Sequence, residues 1–435
     1  MKKFFYLLTI IPVVFACSPQ KQTAKSARQT LLSVPGLKNA HVGISIYSEG
    51  SRKYLYNHNA DKYFVPASNT KIPTTYVALK YLGDSLPGIE VQELEDKIIL
   101  TGTGDPTFLD PEFKHQPVFD FLKKTSKTIY ATADSIETSA WGAGWAWGDY
   151  DADYMPERSS LPIYSNVMWF YGKKNGALNY FPKGKDAKNI FSVNTKGNGD
   201  FLNGVSRELM SNNFTMKLGA SAFKEVRVPF ITSVNRQWQL LADTLHKAIT
   251  LTDENNSNTK SYIIHSQPTD SMLSILMHRS DNFFAEQSVL MASNALLGRM
   301  TNYRFLDSIL NSDFKNLPQK PRWTDGSGLS RYNLFTPQDF VAILQKIKSE
   351  FGMERVKAIF PTGGRGTLSA YYNEETGKIF AKTGTLSGVV ALSGYLYSRK
   401  NELLIFSVLV NNHNMSAPDV RRAVERFLRG IRNRY

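Results

Sequence analysis

From about residue 101 to residue 260 the chain changes texture, and that change limits what it can fold into. The block is rich in Gly, Asn, Thr and aromatic residues, with short strand-like pieces such as Thr128-Ile129-Tyr130-Ala131 and Glu225-Val226-Arg227-Val228. Stronger apolar periodicity flanks it. Val42, Ile44 and Ile46 alternate with Gly43 and Ser45, Ser48-Glu49-Gly50-Ser51 makes a turn, and Tyr54 and Tyr56 carry on, so a hairpin is expected. Pro66-Ala67-Ser68 opens an apolar-periodic helix through Leu82. Residues 271–279 and 282–297 read as helices about a break at Ser280-Asp281, and Thr336-Pro337-Gln338-Asp339 reads as a helix start. Strands are expected at 378–382, 389–397 and 403–410. An amphipathic helix is expected at 418–431, with Val420, Val424, Phe427, Leu428 and Ile431 on one face. At 435 residues the chain exceeds one ordinary core. The expected architecture is an α+β domain over 28–100 and 261–435, an antiparallel sheet flanked by helices. A mostly β insertion over 101–260 interrupts it and leaves through the polar run 253–260.

The first residues belong to another category. Met1-Lys2-Lys3 precedes an apolar run from Phe4 to Ala16, too short for a ~30 Å hydrocarbon core, which takes about 20 residues. Residues 1–16 read as a signal peptide cut before Cys17. Cys17 is the only cysteine and stands at the apolar boundary, which points to lipidation over an incidental cysteine after a plain secretory signal. The polar residues 17–27 read as a tether, so an exported, membrane-anchored lipoprotein facing the periplasm is expected. With Cys17 so used, an internal disulfide, a cysteine zinc site and a thiol nucleophile are excluded. The net charge is +14, and losing Lys2 and Lys3 leaves the chain strongly basic, which suits a cell wall or lipid surface. Nucleic acid, the competing reading, sits poorly with export. Hydrophobic residues at 42% and charged residues at 21% exclude a disordered chain.

Amide hydrolysis needs a nucleophile, a base and donors for the oxyanion. The chain has neither a G-x-S-x-G elbow nor H-E-x-x-H, which disfavours a histidine-assisted serine hydrolase and a zinc protease; no metal or cofactor is expected. Ser68-Asn69-Thr70-Lys71 places a hydroxyl and an amine one helical turn apart, at a helix N-terminus whose N–H groups favour an anion. Burial of Lys71 beside another cation would lower its pKa and make it a base. The pattern alone is unspecific: S-x-x-K starts at Ser18, Ser68, Ser221, Ser257 and Ser312. Only the copy at Ser68 follows a strand pair and leads an apolar helix. Ser280-Asp281-Asn282 at a helix junction and Lys382-Thr383-Gly384-Thr385 at a strand end complete an ordered set, although each alone also reads as a helix cap or a strand-to-turn lysine.

These three motifs resemble those of the penicillin-binding DD-peptidases, and more narrowly of the low-molecular-mass class C D-alanyl-D-alanine carboxypeptidase/endopeptidases. The 212-residue interval from Ser68 to Ser280 is similar to that family's, which carries extra domains there. Further likeness lies in Thr103-Gly-Asp-Pro-Thr107, Gly144-Trp-Ala-Trp147, Ser280-Asp-Asn-Phe-Phe-Ala-Glu286 and Asp325-Gly-Ser-Gly-Leu-Ser-Arg331. The resemblance implies a β-lactamase/DD-peptidase-like fold with Ser68 acylated and Lys71 as base. Ser280 would relay a proton to the leaving amine, Asn282 hold the substrate amide, and Lys382 polarise the relay. Thr383 and Thr385 would bind a carboxylate, Gly384 would admit the substrate backbone, and the N–H groups of Ser68 and Thr385 would form an oxyanion hole. A diaminopimelate pocket would use Asp149 and Tyr154, with Asp151 and Asp153 as close alternatives to Asp149, and Arg331 with Leu386 or Ser387. The partners implied are peptidoglycan stem peptides and cross-links, with β-lactams as covalent inhibitors. A β-lactamase or esterase on the same Ser-Lys pair and a catalytically silent wall-binding lipoprotein are the rival readings.

Three features leave choices open. Pro73 falls inside the helix after Ser68, where it is either absorbed by a tightened start or displaces Lys71. Gly363-Gly364-Arg365-Gly366 lacks the P-loop pattern and reads as a turn. Arg421, Arg422, Arg426, Arg429, Arg432 and Arg434 read as a solvated face in preference to a wall- or lipid-binding patch.

Overall fold

The computed structural model describes residues 19–133, 136–172, 178–183, 190–198, 201–220, 225–253 and 260–435. Cys17, the expected signal peptide, and the S-x-x-K copies beginning at Ser18, Ser221 and Ser257 lie wholly or partly outside them.

One five-stranded antiparallel sheet organises the catalytic half. Its order is Ile379–Leu386, Val389–Tyr397, Leu403–Asn411, His41–Ser48, Lys53–His58. Side chains alternate between faces along a strand, and here both faces are covered. From Leu403–Asn411, Ile405 and Leu409 join the core built on the helices Lys71–Tyr81, Asn282–Leu297 and Pro337–Phe351. Leu404, Phe406, Val408 and Val410 pack on the opposite side, under the C-terminal helix Ala417–Arg432. That helix buries Val420, Val424, Phe427, Leu428 and Ile431, as its spacing requires. Thr336 caps Pro337–Phe351 through its Oγ1 and closes a capping box with Asp339.

The insertion has its own core. Its largest sheet runs Ile249–Thr252, Thr128–Thr132, Lys97–Gly102, Ser85–Glu93, Ser261–Pro268, and two three-stranded sheets adjoin it. Ser85–Glu93 lies upstream of the 101–260 block expected from texture, and Ser261–Pro268 follows it. Both pair with each other in the inserted sheet. Pro87 and Gly88 interrupt the first of these strands and hide its affiliation. The chain leaves and re-enters at a single seam, where Thr269 N donates to Asp84 O at 2.9 Å.

Two further expectations meet structure. The tether over 17–27 is, from Pro19 onward, a helix, Pro19–Ala27. Ala27 and Leu31 bury against the C-terminal helix and Thr23 Oγ1 lies 3.3 Å from Tyr435 OH. A polar sequence folds here because it needs only one apolar edge to dock. Pro73 is absorbed: Ala67–Thr70 is a 3₁₀ turn and the α-helix starts at Lys71, so Pro73 falls in the first turn, where an N–H has no intrahelical partner anyway.

Candidate active site

The nucleophile turn is held from three sides. Ala67, immediately before Ser68, has φ +48°, a strained value for a non-glycine residue. Gly328 (φ +82°) backs onto it so closely that a Cβ would stand 1.9 Å from Ala67 O. From the sheet, Gly384 passes beneath: a Cβ there would lie 2.7 Å from Pro66 O and 3.1 Å from Ser68 N. Asn69 Nδ2 donates to Lys382 O at 2.8 Å and ties the turn to the same strand. Glycine at 384 therefore serves close approach of this chain to itself, in addition to the substrate approach expected.

Lys71 is fully buried, and its Nζ lies 3.1 Å from Ser68 Oγ, 2.7 Å from Asn282 Oδ1 and 2.7 Å from Ser327 O. Burial lowers its pKa to about 8, against the opposing pull of Asp281, Asp325 and Glu286. An amine so placed is neutral in about a tenth of molecules at pH 7, far more than an ordinary lysine, and can then accept the Ser68 proton along the existing contact. Lys382, also fully buried, donates to Ser280 Oγ and to Thr383 O, each at 2.8 Å. Burial, then Lys71 and Arg421, hold its pKa well below the ordinary lysine value.

Ser280 ends a π-helical turn, Leu276–Ser280, with φ +61°. Such bulges break the side-chain register of a helix and re-aim one residue. Asp281 Oδ1 then accepts from Phe284 N and caps Asn282–Leu297. The motif divides its labour: the middle residue caps, while its neighbours Ser280 and Asn282 face the cleft. Both ends of the Asn282 amide are engaged, Oδ1 with Lys71 and Nδ2 with Tyr154 O at 3.0 Å, which leaves one N–H for a substrate carbonyl.

A cleft of about 610 Å³ is lined by Ser68, Asp149, Tyr154, Ser280, Asn282, Arg331, Thr385, Leu386 and Ser387, among others. Thr383 faces an adjoining lobe of about 350 Å³ with Ser68, Ser280, Thr367, Thr385 and Arg421. Asp149 and Tyr154 are hydrogen-bonded, and burial followed by Asp149 raises the phenol to about 12. Asp151 and Asp153 line a depression with Glu225 and Arg227, and Asp153 also lines a pocket with Tyr154, Ser280 and Asn282; of the three, only Asp149 lines the cleft that holds Ser68. Arg331 Nη2 donates to Ser387 O at 2.8 Å and joins the two catalytic-domain walls.

The geometry also contains residues that sequence reasoning quoted without assigning a role. Glu286 Oε1 accepts from Ser327 N at 2.7 Å, and it is the Ser327 carbonyl that holds Lys71. Arg158 from the insertion pairs with Glu286 at 3.3 Å, both buried, and Trp145 Nε1 donates to Asp325 Oδ2 at 2.9 Å. Glu286 and Asp325 stood inside the recognised segments, but nothing local distinguishes a buried pair from surface charge.

Residues 24–199 and 209–431 match the profile of the D-Ala-D-Ala carboxypeptidase 3 (S13) family. The chain belongs to that family. A D-alanyl-D-alanine carboxypeptidase of Actinomadura sp. (strain R39) is 24% identical over 94% of this chain and 87% of its own length. The D-alanyl-D-alanine carboxypeptidase DacB of Haemophilus influenzae is 21% identical, with 91% of each chain covered. Penicillin binding protein 4 (dacB) of Haemophilus influenzae has the same fold, with a TM-score of 0.72 at 18% identity over 95% of this chain and 98% of that one. The fold is α+β, and S13 membership makes the protein a serine peptidase of the low-molecular-mass class C penicillin-binding group.

Proposed function

We infer that this S13 chain is a D-alanyl-D-alanine carboxypeptidase and/or endopeptidase that acts on peptidoglycan stem peptides through an acyl-enzyme on Ser68. The observation that carries the reading is the buried Lys71 amine, 3.1 Å from Ser68 Oγ and fixed by two further acceptors. Neutral Lys71 takes the Ser68 proton as Oγ attacks the D-alanyl carbonyl. The N–H groups of Ser68 and Thr385 receive the oxyanion. Ser280, polarised by Lys382, passes a proton to the leaving amine, and water then hydrolyses the ester. In the wider cleft, Asp149 meets the side-chain ammonium of the stem peptide's diamino acid and Arg331 its carboxylate. β-Lactams acylate Ser68 in the substrate's place.

The test is mass spectrometry. Benzylpenicillin should add its mass to one peptide, the one containing Ser68, and muropeptide digestion should release terminal D-alanine, open cross-links, or both. An adduct elsewhere, or digestion without either product, refutes the reading. A penicilloyl adduct that turns over within seconds would favour the β-lactamase alternative.

Export through residues 1–16 and a lipid on Cys17 belong to the same proposal. The Cys17→Ser variant should move from the membrane to the soluble fraction on fractionation; unchanged membrane association would exclude the anchor. Among the described residues no helix is long and apolar enough to cross a membrane.

A further inference from the structure

The helix Pro19–Ala27 runs antiparallel to the C-terminal helix. A Cβ at Gly430 would stand 3.0 Å from Ser26 Oγ, Thr23 Oγ1 lies 3.3 Å from Tyr435 OH, and Arg434 Nη1 donates to Gln22 O at 3.2 Å. Its start therefore points past the last turn of the C-terminal helix, and Cys17, two residues earlier, lies within about 7 Å of it. That corner is one end of the central sheet. Arg399 N donates to Arg432 O at 3.0 Å, which joins the turn before Leu403–Asn411 to the end of the helix. Glu49 N donates to Leu403 O at 3.0 Å and sets the turn between His41–Ser48 and Lys53–His58 beside it. Lys378, just before Ile379–Leu386, accepts from Tyr397 N at 2.8 Å and completes the same edge.

Charge is sorted at this end. Arg52, Lys53, Lys378, Arg399, Lys400 and Arg434 are exposed, and among the described residues none of them forms a salt bridge. The carboxylates nearby are already engaged: Glu49 pairs with Lys348 at 2.9 Å, Glu374 and Glu375 pair with Arg429, and Glu402 accepts from Ser48 Oγ. Two hairpin turns, a strand start and a helix end thus present one sign of charge, which calls for an anionic surface. The nucleophile stands at the other end of the sheet. Thr385 is seven residues along the strand from Lys378, about 23 Å. We propose that this end of the sheet is a docking face for anionic phospholipid headgroups, and that the Pro19–Ala27 helix, packed where a slack tether was expected, holds the face on the membrane and the Ser68 cleft away from it. The orientation rests on the Cys17 anchor proposed above; the affinity for headgroups does not. Each cation held near an anionic membrane strengthens binding about fivefold, and a face whose backbone is already ordered loses little freedom on docking.

The test sediments the mature chain carrying Cys17→Ser, which has no lipid, with vesicles of phosphatidylcholine alone or with about a third phosphatidylglycerol. The protein should bind the anionic vesicles at least about tenfold better, and about 0.5 M salt should abolish the difference. Adding Arg52→Gln, Arg399→Gln and Lys400→Gln together should weaken that binding roughly 100-fold. Lys114→Gln, Lys123→Gln and Lys124→Gln remove the same charge from the insertion and should weaken it less than about threefold, since charges far from the surface are screened. Both triple variants should be acylated by benzylpenicillin at the wild-type rate, which confirms their fold. Equal losses in the two triples would assign the binding to net charge and overturn the proposal. Indifference to lipid charge would overturn it too. If the sheet-end triple lost binding to isolated peptidoglycan and kept it to vesicles, the partner would be the wall and the proposal would fall. A lipid-modified wild type that stayed in the soluble fraction would instead remove the anchor, and with it the orientation, whatever the vesicles show.

Discussion

Replacing Lys71 with methionine should slow acylation of Ser68 by benzylpenicillin by roughly three to four orders of magnitude, the upper range for loss of a positioned general base. Methionine fills the same tunnel but cannot take a proton. The amine lies 3.1 Å from Ser68 Oγ, and among the described residues no other titratable side chain hydrogen-bonds to that hydroxyl. The pH dependence supplies an independent sign. Only neutral Lys71 is a base and its pKa is about 8, so wild-type acylation should rise about tenfold per pH unit up to pH 8 and level off above it. The methionine variant should show no such rise. Stability carries the mirror image. In the unfolded chain Lys71 titrates near its ordinary 10.5, so between pH 8 and 10.5 the unfolded state binds more protons and wild-type stability climbs with pH. The variant lacks that climb. It leaves Asn282 Oδ1 and Ser327 O without their donor, at about 1–3 kcal/mol each, and removes a costly buried charge in exchange. Stopped-flow acylation across pH 6–10 with a circular-dichroism check decides. A folded variant acylated within tenfold of the wild-type rate removes Lys71 from the base role.

The largest loss of stability should follow Arg158→Ala, by about 3–5 kcal/mol. Arg158 and Glu286 form a salt bridge with side chains 2% and 1% exposed, and Arg158 also donates to Ser139 O and Trp141 O. Without it, Glu286 shares its pocket with Asp325 and no cation from the insertion. Glu286 is already held above the ordinary carboxylate range by burial and by Asp325. Protonation would relieve the variant, so its deficit should be smaller at pH 5 than at pH 8. The pairing also reaches the chemistry, because Glu286 holds the Ser327 peptide and that peptide holds Lys71. Urea unfolding at both pH values measures the effect, and the double variant Arg158→Met, Glu286→Leu should recover much of the loss. A deficit below about 1 kcal/mol, equal at the two pH values, would show that the pair carries little.

Much of the catalytic half was legible because its signals are local. Thr336-Pro337-Gln338-Asp339 spells a capped helix, the C-terminal apolar stripe buries as spaced, and the Ser68 copy of S-x-x-K announces its helix. What escaped depends on where distant elements meet. Six arginines in one C-terminal segment look alike in sequence, and only the packing of that helix over the sheet brings Arg421 to Thr385. The helix Val234–Leu245, capped by Ser233, was lost within a block whose composition favours strands, although Trp238, Leu241 and Leu245 sit on one face. The Pro19–Ala27 helix has a weak apolar edge that acquires meaning only from the surface it meets.

The seam at Asp84 and Thr269 bears on the order in which the molecule assembles. The central sheet joins His41–Ser48 to Leu403–Asn411, among the most distant pairings the chain makes. An insertion that folds on its own nucleus draws its two ends together and removes some 185 residues from that loop, which roughly halves it and lowers the entropic cost of the final closure by about 0.6 kcal/mol. What separates the halves of the enzyme in sequence acts as a clasp in time.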